Sequence, residues 1–134
     1  MPWDPDDAVS HLWTFAHKKS IGRCAAYTAD AIEAGHVHIN RTTYAQDFGP
    51  RLIQAGFRAM PPGTAPQSGD VMIFPGFKRD LAKKMKKDHV AGHMQMYDGV
   101  HHLWISDFRQ SAKVFPGEDF RKSGLQYTLY RYSQ

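Results

Sequence analysis

Apolar residues recur at helical spacing near the start of the chain. Between Asp6 and Lys18, Val9, Leu12, Trp13 and Ala16 fall on one face of a helix drawn at 3.6 residues per turn. The spacing predicts an amphipathic helix over 6–18 that buries one stripe against the rest of the protein.

Two more helices are predicted before residue 57. The segment Arg23–Ala34 is rich in alanine and apolar almost all round, which is typical of a buried, closely packed helix that ends at Gly35. The segment Thr42–Ala55 predicts a third helix that ends at Gly56, with an interruption possible at Gly49–Pro50.

The second half of the chain changes to short apolar and aromatic runs bounded by turn residues. Four strands are predicted, over Val71–Phe74, Gly92–Tyr97, His101–Phe108 and Tyr127–Tyr132. Asp98–Gly99 is typical of a hairpin turn between the second and third of them. Helices followed by an antiparallel meander predict an α+β fold with a small sheet of about four to six strands.

Composition narrows the classes of protein that fit this pattern. The 134 residues, 42% of them hydrophobic, predict a single domain over 1–134 rather than a disordered chain. No apolar run has the length of a membrane span, and residues 1–7 lack the apolar core of a Sec signal peptide, so we expect neither. The net charge of +4 favours an anionic partner without identifying it.

The chain has one cysteine, which excludes an internal disulfide, a CxxC redox pair and a thiol-rich zinc site. Cys24 falls in the first turn of the predicted helix that follows Gly22. There the helix dipole favours the thiolate, so we expect a lowered pKa and a nucleophilic sulfur. The alternative is a structural cysteine buried in the core.

Two further residues extend Cys24 into a candidate catalytic set. His93 begins a predicted strand and could accept the thiol proton and later protonate a leaving amine. Asp107 lies on the next predicted strand and could orient the imidazole, a role that Ser106 or Gln110 could fill less well. A core histidine and a solvated acid at a strand end are the alternative interpretations.

The motifs around these residues resemble the papain-like cell-wall amidases of the CHAP and NlpC type. The matching stretches are 22–27 leading into 31–35, 44–57, 69–74, 92–94 and 104–108. They cover most of residues 20–110 in the expected order. Within that superfamily the chain is similar to the compact peptidoglycan amidases that bacteria deliver by type VI secretion.

The resemblance implies an antibacterial cysteine amidase that needs no cofactor or metal. Cys24 would be the nucleophile, His93 the general base and acid, and Asp107 the orienter. The substrate would be an amide in the peptide stem or crosslink of peptidoglycan. The resemblance further implies a monomer, made in the bacterial cytoplasm and secreted into the periplasm of a target cell, with a cognate immunity protein as inhibitor.

A basic insertion over 77–89 separates the first two predicted strands, and its segment 81–87 could form a short helix. Its lysines could attract the carboxylates of peptidoglycan stems; a solvated loop or an immunity-protein epitope are the alternatives. The candidate substrate-binding residues are Arg23, Tyr97, Arg109, Lys83 and Lys84.

Other functions fit parts of the sequence less well. The eight histidines, with His89 and His93 four apart, suggest a zinc enzyme, but the strand pattern around His93 and the lack of an HExxH motif oppose it. Basic and aromatic residues suggest a nucleic-acid-binding module, but the basic cluster is one loop, so we expect neither nucleic acid nor a membrane as partner. A phage endolysin, a housekeeping wall hydrolase and transfer rather than hydrolysis remain alternatives within the cysteine class.

Overall fold

A computed structural model describes residues 2–133, and within that range four helices and five strands form one α+β unit. The helices are α1 (Pro5–Phe15), α2 (Cys24–Ala34), α3 (Gly49–Ala55) and α4 (Glu118–Ser123). The strands are β1 (Phe57–Ala59), β2 (Val71–Phe74), β3 (His93–Asp98), β4 (Leu103–Ile105) and β5 (Thr128–Tyr132). The predicted α+β class is confirmed.

The strands form one antiparallel sheet in the order β1-β5-β2-β3-β4. The C-terminal strand lies in the interior of the sheet, between β1 and β2. Phe74 at the end of β2 pairs with His93 at the start of β3, and Met96 on β3 pairs with Ile105 on β4. This register puts His93 at one end of the central strand pair.

Side chains alternate across the sheet and build a core on each face. Val71 and Ile73 join Met94 and Met96 in the larger cluster, which α1, α2 and α3 cover. The opposite face carries a second, more aromatic cluster covered by the chain between β4 and β5. Its buried members are Met72, Phe74, Phe77, Trp104, Phe120 and Leu129.

Some predicted elements differ from the observed ones. The helix expected over Thr42–Ala55 is a 3₁₀ turn at Ala45–Asp47 followed by α3, because Pro50 fits the first turn of a helix but not its interior. The strand expected over His101–Phe108 is only β4, and four residues rather than a two-residue turn connect it to β3. The sequence pattern missed β1 and α4.

The insertion over 77–89 contains one 3₁₀ turn, Arg79–Leu81, rather than the helix expected over 81–87. A backbone bridge between Phe77 and His89 closes its base. None of the helices within 2–133 is long and apolar enough to cross a membrane.

Candidate active site

Cys24 is the first residue of α2, in the first turn where the sequence places it. The loop before it turns at Gly22, whose φ of 75° lies in the left-handed region that glycine adopts without strain. The N–H groups of the first helical turn have no acceptor within the helix, so α2 presents amide donors beside the Cys24 sulfur.

The carboxylate of Asp107 holds this loop in place. Its Oδ2 accepts hydrogen bonds from the Ser20 hydroxyl (3.0 Å), the Ile21 N–H (2.7 Å) and the Arg23 N–H (3.0 Å). Burial alone would raise the pKa of Asp107, but these donors and the Ser106 hydroxyl outweigh it and hold the pKa below its usual range. Asp107 is therefore an anion that fixes the chain leading into α2.

His93 starts β3 and is buried among aromatic rings. The centroid of its ring lies 5.8 Å from that of Phe120 and 6.0 Å from that of Phe74. Gly92 before it packs so closely that a Cβ would lie 2.3 Å from the Phe74 carbonyl oxygen. Burial lowers the pKa of His93 to about 4, so its imidazole is neutral at pH 7.

The hydrogen bond expected between Asp107 and His93 is made instead by Gln110. His93 Nε2 donates to Gln110 Oε1 at 2.9 Å, and the Ser106 hydroxyl donates to the same oxygen at 2.9 Å. Asp107 lies near enough for its charge to favour the protonated imidazole, but within 2–133 its hydrogen bonds go to the loop before α2 and to Ser106. His93 thus has its side-chain hydrogen bond with Gln110 and feels the charge of Asp107 without a hydrogen bond to it.

The thiol of Cys24 differs electrostatically from the expectation of a lowered pKa. Burial raises the pKa of the thiol, the Met94 N–H lowers it, and the charge of Asp107 raises it again. The net shift is upward because the loss of hydration outweighs the amide donors. Cys24 therefore rests as a thiol and His93 as a neutral imidazole at pH 7.

Cys24 and His93 line the same open cleft, which has a volume of about 780 Å³. The other residues that line it are Ser20, Gly22, Lys86, Lys87, Asp88, His89, Val90, Ala91, Gly92, Phe108, Pro116, Gly117, Glu118, Asp119 and Phe120. The end of the basic insertion and the start of α4 thus form one wall of this cleft.

One carboxylate joins the two segments of that wall. Asp119 accepts hydrogen bonds from the Lys86 N–H (3.0 Å), the Lys87 N–H (3.3 Å) and the His89 Nε2 (2.9 Å). The hydrogen bond from His89 lowers the pKa of Asp119 to about 2, with the backbone donors adding to the effect. The insertion is therefore tied to α4, and its last two lysines stand at the cleft.

The five residues predicted to bind substrate all lie outside this lining. Arg23 occupies the N-cap position of α2 and donates its N–H to Asp107, and Tyr97 packs edge-on against Trp104. Arg109 lies over the Trp13 ring, 3.9 Å from its centroid, and donates to the Trp13 carbonyl. Lys83 and Lys84 are exposed on the insertion, away from the cleft lining. The lysines that line the cleft are instead Lys86 and Lys87.

Sequence reasoning gave Gln110 a lesser part and did not select Gln95 or Asp119. Gln110 reaches His93 because the chain folds back after β4, where Gln110 N–H donates to the Trp104 carbonyl. The sequence signal available for Gln95 was its place two residues after His93 on a predicted strand, which puts both side chains on one face. The structure shows that Gln95 is fully buried there.

Potential metal ligands cluster away from the cleft. The ligand atoms of Asp4, Asp7 and His36 lie within 4.8 Å of one another, but His36 pairs with Asp7 and Asp4 caps α1. The two histidines that suggested zinc face other partners, His89 toward Asp119 and His93 toward Gln110.

Two solved structures resemble the whole chain, although no family model and no curated protein sequence matches it. One is the native type VI effector–immunity complex Tae3–Tai3 from Ralstonia pickettii, with a TM-score of 0.80 and 36% identity over 98% of this chain and 100% of that chain. The other is the selenomethionine form of that complex, with a TM-score of 0.77 and 37% identity over 92% of this chain and 98% of that chain.

Proposed function

Because this chain belongs to the Tae3 family of type VI effectors, we propose that it is an antibacterial enzyme that hydrolyses amide bonds in the peptide part of peptidoglycan. The observation that carries the chemistry is the presence of Cys24 and His93 in one cleft, with the Met94 N–H directed at the sulfur. A thiol, a neutral imidazole and an amide donor are the parts that acyl transfer through a cysteine needs.

The proposed reaction has two halves. The Cys24 sulfur attacks the carbonyl carbon of the amide while His93 takes the thiol proton, and His93 then gives that proton to the leaving amine as the C–N bond breaks. The product is an acyl-thioester on Cys24 and a free amine. His93 next removes a proton from water, the resulting hydroxide attacks the thioester, and the sulfur leaves and regains the proton.

Fixed groups around the pair support both halves. The Cys24 N–H at the start of α2 is placed to stabilise the oxyanion of the tetrahedral intermediates. Gln110 orients His93, which is the role that the sequence assigned to Asp107. Asp107 acts one step away, because it holds the loop from which Cys24 projects.

The basic insertion supplies substrate recognition in this proposal. Peptidoglycan stems carry free carboxylates, and Lys86 and Lys87 stand on the cleft wall with their backbone fixed by Asp119. Ammonium groups at this wall attract an anionic stem into the cleft. The bonds that suit such a site are γ-D-glutamyl–diaminopimelate and the diaminopimelate–D-alanine crosslink.

The same proposal covers partners and place of action. The protein is a monomer that a type VI secretion system delivers to the periplasm of a target cell, and a cognate immunity protein neutralises it. Size-exclusion chromatography with light scattering tests the monomer, and co-expression with the neighbouring open reading frames tests the inhibitor. A candidate that binds without suppressing hydrolysis of sacculi is not the immunity protein.

Digestion of purified sacculi, followed by mass spectrometry of the released fragments, tests the enzyme. We expect wild-type protein to release peptides with a new amine and a new carboxylate, and this identifies the bond that is cleaved. Cys24→Ser keeps the shape of the side chain and should release none; Ser10→Ala, on the exposed side of α1, is the control. Release of the same fragments by Cys24→Ser would refute the thiol mechanism.

A further inference from the structure

His93 is the first member of a chain of hydrogen bonds that runs through two glutamines to the backbone. Gln110 Oε1 accepts from His93 Nε2 (2.9 Å), Gln95 Oε1 accepts from Gln110 Nε2 (2.7 Å), and the Val114 carbonyl accepts from Gln95 Nε2 (2.7 Å). His93 and Gln95 can both belong to this chain because they are two residues apart on β3 and therefore lie on the same face of the sheet.

The Val114 carbonyl decides the direction of the whole chain. A backbone carbonyl only accepts, so Gln95 must turn its NH₂ group toward Val114 and its oxygen toward Gln110. Gln110 must then turn its NH₂ group toward Gln95 and its oxygen toward His93. Reversing either amide would place two oxygens or two donors face to face inside the protein.

This direction leaves His93 one tautomer. An oxygen facing Nε2 requires the proton on that nitrogen, and a neutral imidazole carries a single N–H. Nδ1 is therefore the unprotonated nitrogen. Because Nε2 is engaged by Gln110, Nδ1 is the nitrogen left to take the proton of a thiol in the cleft.

The burial of Gln95 indicates that its amide has more than a packing role. Gln95 is fully buried beside Met72, next to the aromatic cluster on that face of the sheet. An apolar side chain of similar volume would fill the space without the cost of removing an amide from water. Both ends of the amide are used, one for Val114 and one for Gln110.

We propose that Gln95 is a positioning residue that acts through Gln110 to hold His93 in the tautomer protonated on Nε2, which leaves Nδ1 as the base for Cys24. The catalytic meaning of the tautomer rests on the proposed function. The tautomer itself is a property of the free protein and can be measured without substrate.

Nitrogen-15 NMR of the imidazole ring tests the proposal directly, because the two ring nitrogens have different shifts in each neutral tautomer. At pH 7 we expect wild-type His93 to be predominantly the Nε2–H form. Gln95→Met keeps the volume and removes the acceptor for Gln110. We expect it to change the tautomer ratio about fivefold, the equivalent of one net hydrogen bond, and to lower kcat in step with the Nε2–H share while KM stays constant.

Gln95→Glu separates positioning from stability. Glutamate keeps an oxygen for the Gln110 NH₂ group, so the tautomer should remain that of wild type although a buried acid lowers the melting temperature. Met72→Leu is a control that removes only the weak hydrogen bond from Gln95 Nε2 to the Met72 sulfur (3.7 Å) and leaves the bonds of Gln95 with Gln110 and Val114 in place. A merely structural role predicts that activity follows the melting temperature in all three variants.

The possible results are distinct. An Nδ1–H tautomer in the wild-type protein, or a Gln95→Met protein with the wild-type tautomer, overturns the proposal. If Gln95→Met does not fold, the Gln95→Glu protein decides, because the proposal requires it to keep the Nε2–H tautomer and a change to Nδ1–H overturns the proposal. The predicted tautomers combined with sacculus hydrolysis that survives Cys24→Ser would leave the hydrogen-bond chain intact and refute the proposed function instead.

Discussion

Replacement of Asp107 tests how the site divides its work between orienting the histidine and holding the cysteine. Asp107→Ala removes the acceptor for three donors in the loop before α2 and for the Ser106 hydroxyl. Asp107→Asn keeps an oxygen that can face the loop and places its NH₂ group toward Ser106, whose hydroxyl can accept. The two variants therefore separate the loss of the hydrogen bonds from the loss of the charge.

The expected magnitudes follow from the four hydrogen bonds. Hydrogen bonds to a charged group are worth about 1.5–3 kcal/mol each, but the loop donors lie near the surface and regain water, so we expect Asp107→Ala to cost about 3 kcal/mol in total. For a chain of 134 residues this corresponds to a fall of about 10 °C in Tm. Asp107→Asn loses mainly the charge assistance, for which we expect about 1 kcal/mol and about 4 °C.

The sign of the pH dependence gives an independent check. The pKa of Asp107 is lowered in the folded protein, so its contribution to stability is complete above the pKa of the unfolded chain, about 3.9. That contribution is lost as the pH falls through the folded value, because the proton then binds the folded state as well. The difference in Tm between wild type and Asp107→Asn should therefore be largest near pH 7 and should become smaller as the pH falls below about 4.

Activity decides which residue orients the imidazole. Because Gln110 holds His93, kcat of Asp107→Asn should stay within about tenfold of wild type, whereas the same change at a histidine-orienting aspartate costs roughly 10⁴ in a serine protease. The assays are differential scanning calorimetry and fragment release from sacculi, both at pH 7. A loss of kcat beyond about 10³ with an unchanged Tm would refute this division of roles.

Four further outcomes follow from the geometry. The acid limb of kcat/KM should lie near pH 4 rather than 6.5, because His93 must be neutral to accept a proton; a limb at 6.5 would contradict its burial. Iodoacetamide should alkylate Cys24 slowly at pH 7 and faster as the pH rises, as mass spectrometry would show, and rapid alkylation at pH 6 would indicate a resting ion pair. Charge removal at Lys86 and Lys87 by substitution to Gln should raise KM for anionic stems with little change in kcat, and an equal effect on stems with amidated carboxylates would refute the charge argument. Asp119→Asn should increase amide hydrogen exchange over 84–89 while exchange in β3 stays constant.

The parts of the fold that the sequence predicts are those that local pattern determines. The alanine-rich pattern of α2 and the apolar runs of β2 and β3 placed Cys24 at a helix start and His93 at a strand start, as the structure has them. The edge strand β1 has three residues, two of them exposed, so it carries no alternating signal. The helix α4 has six residues and is stabilised by its contacts with the insertion rather than by its own pattern.

The hydrogen-bond partner of His93 could not be chosen from sequence because its position depends on how the chain turns after β4. On an extended strand Asp107 would lie across from β3, but the chain doubles back so that Ile105 bridges to Arg109. The turn directs Asp107 toward the loop before α2 and brings Gln110 to His93. The prediction of a lowered pKa for the Cys24 thiol is wrong for a related reason. The sequence shows that Cys24 lies at a helix start but does not show how deeply the thiol is buried.

The two sides of the cleft are built with different degrees of independence. Cys24 and His93 stand on a helix and a strand that both pack into the main core. The other wall is an insertion and a short helix that are held together by the Asp119 carboxylate, by the Lys122 ammonium on the Lys84 carbonyl, and by the packing of Phe120 against Phe77 and His89. Loops of other lengths and charges could be exchanged at 78–88, with Asp119 retained as an anchor, to change the shape and charge of this wall without rebuilding the half of the cleft that carries Cys24 and His93.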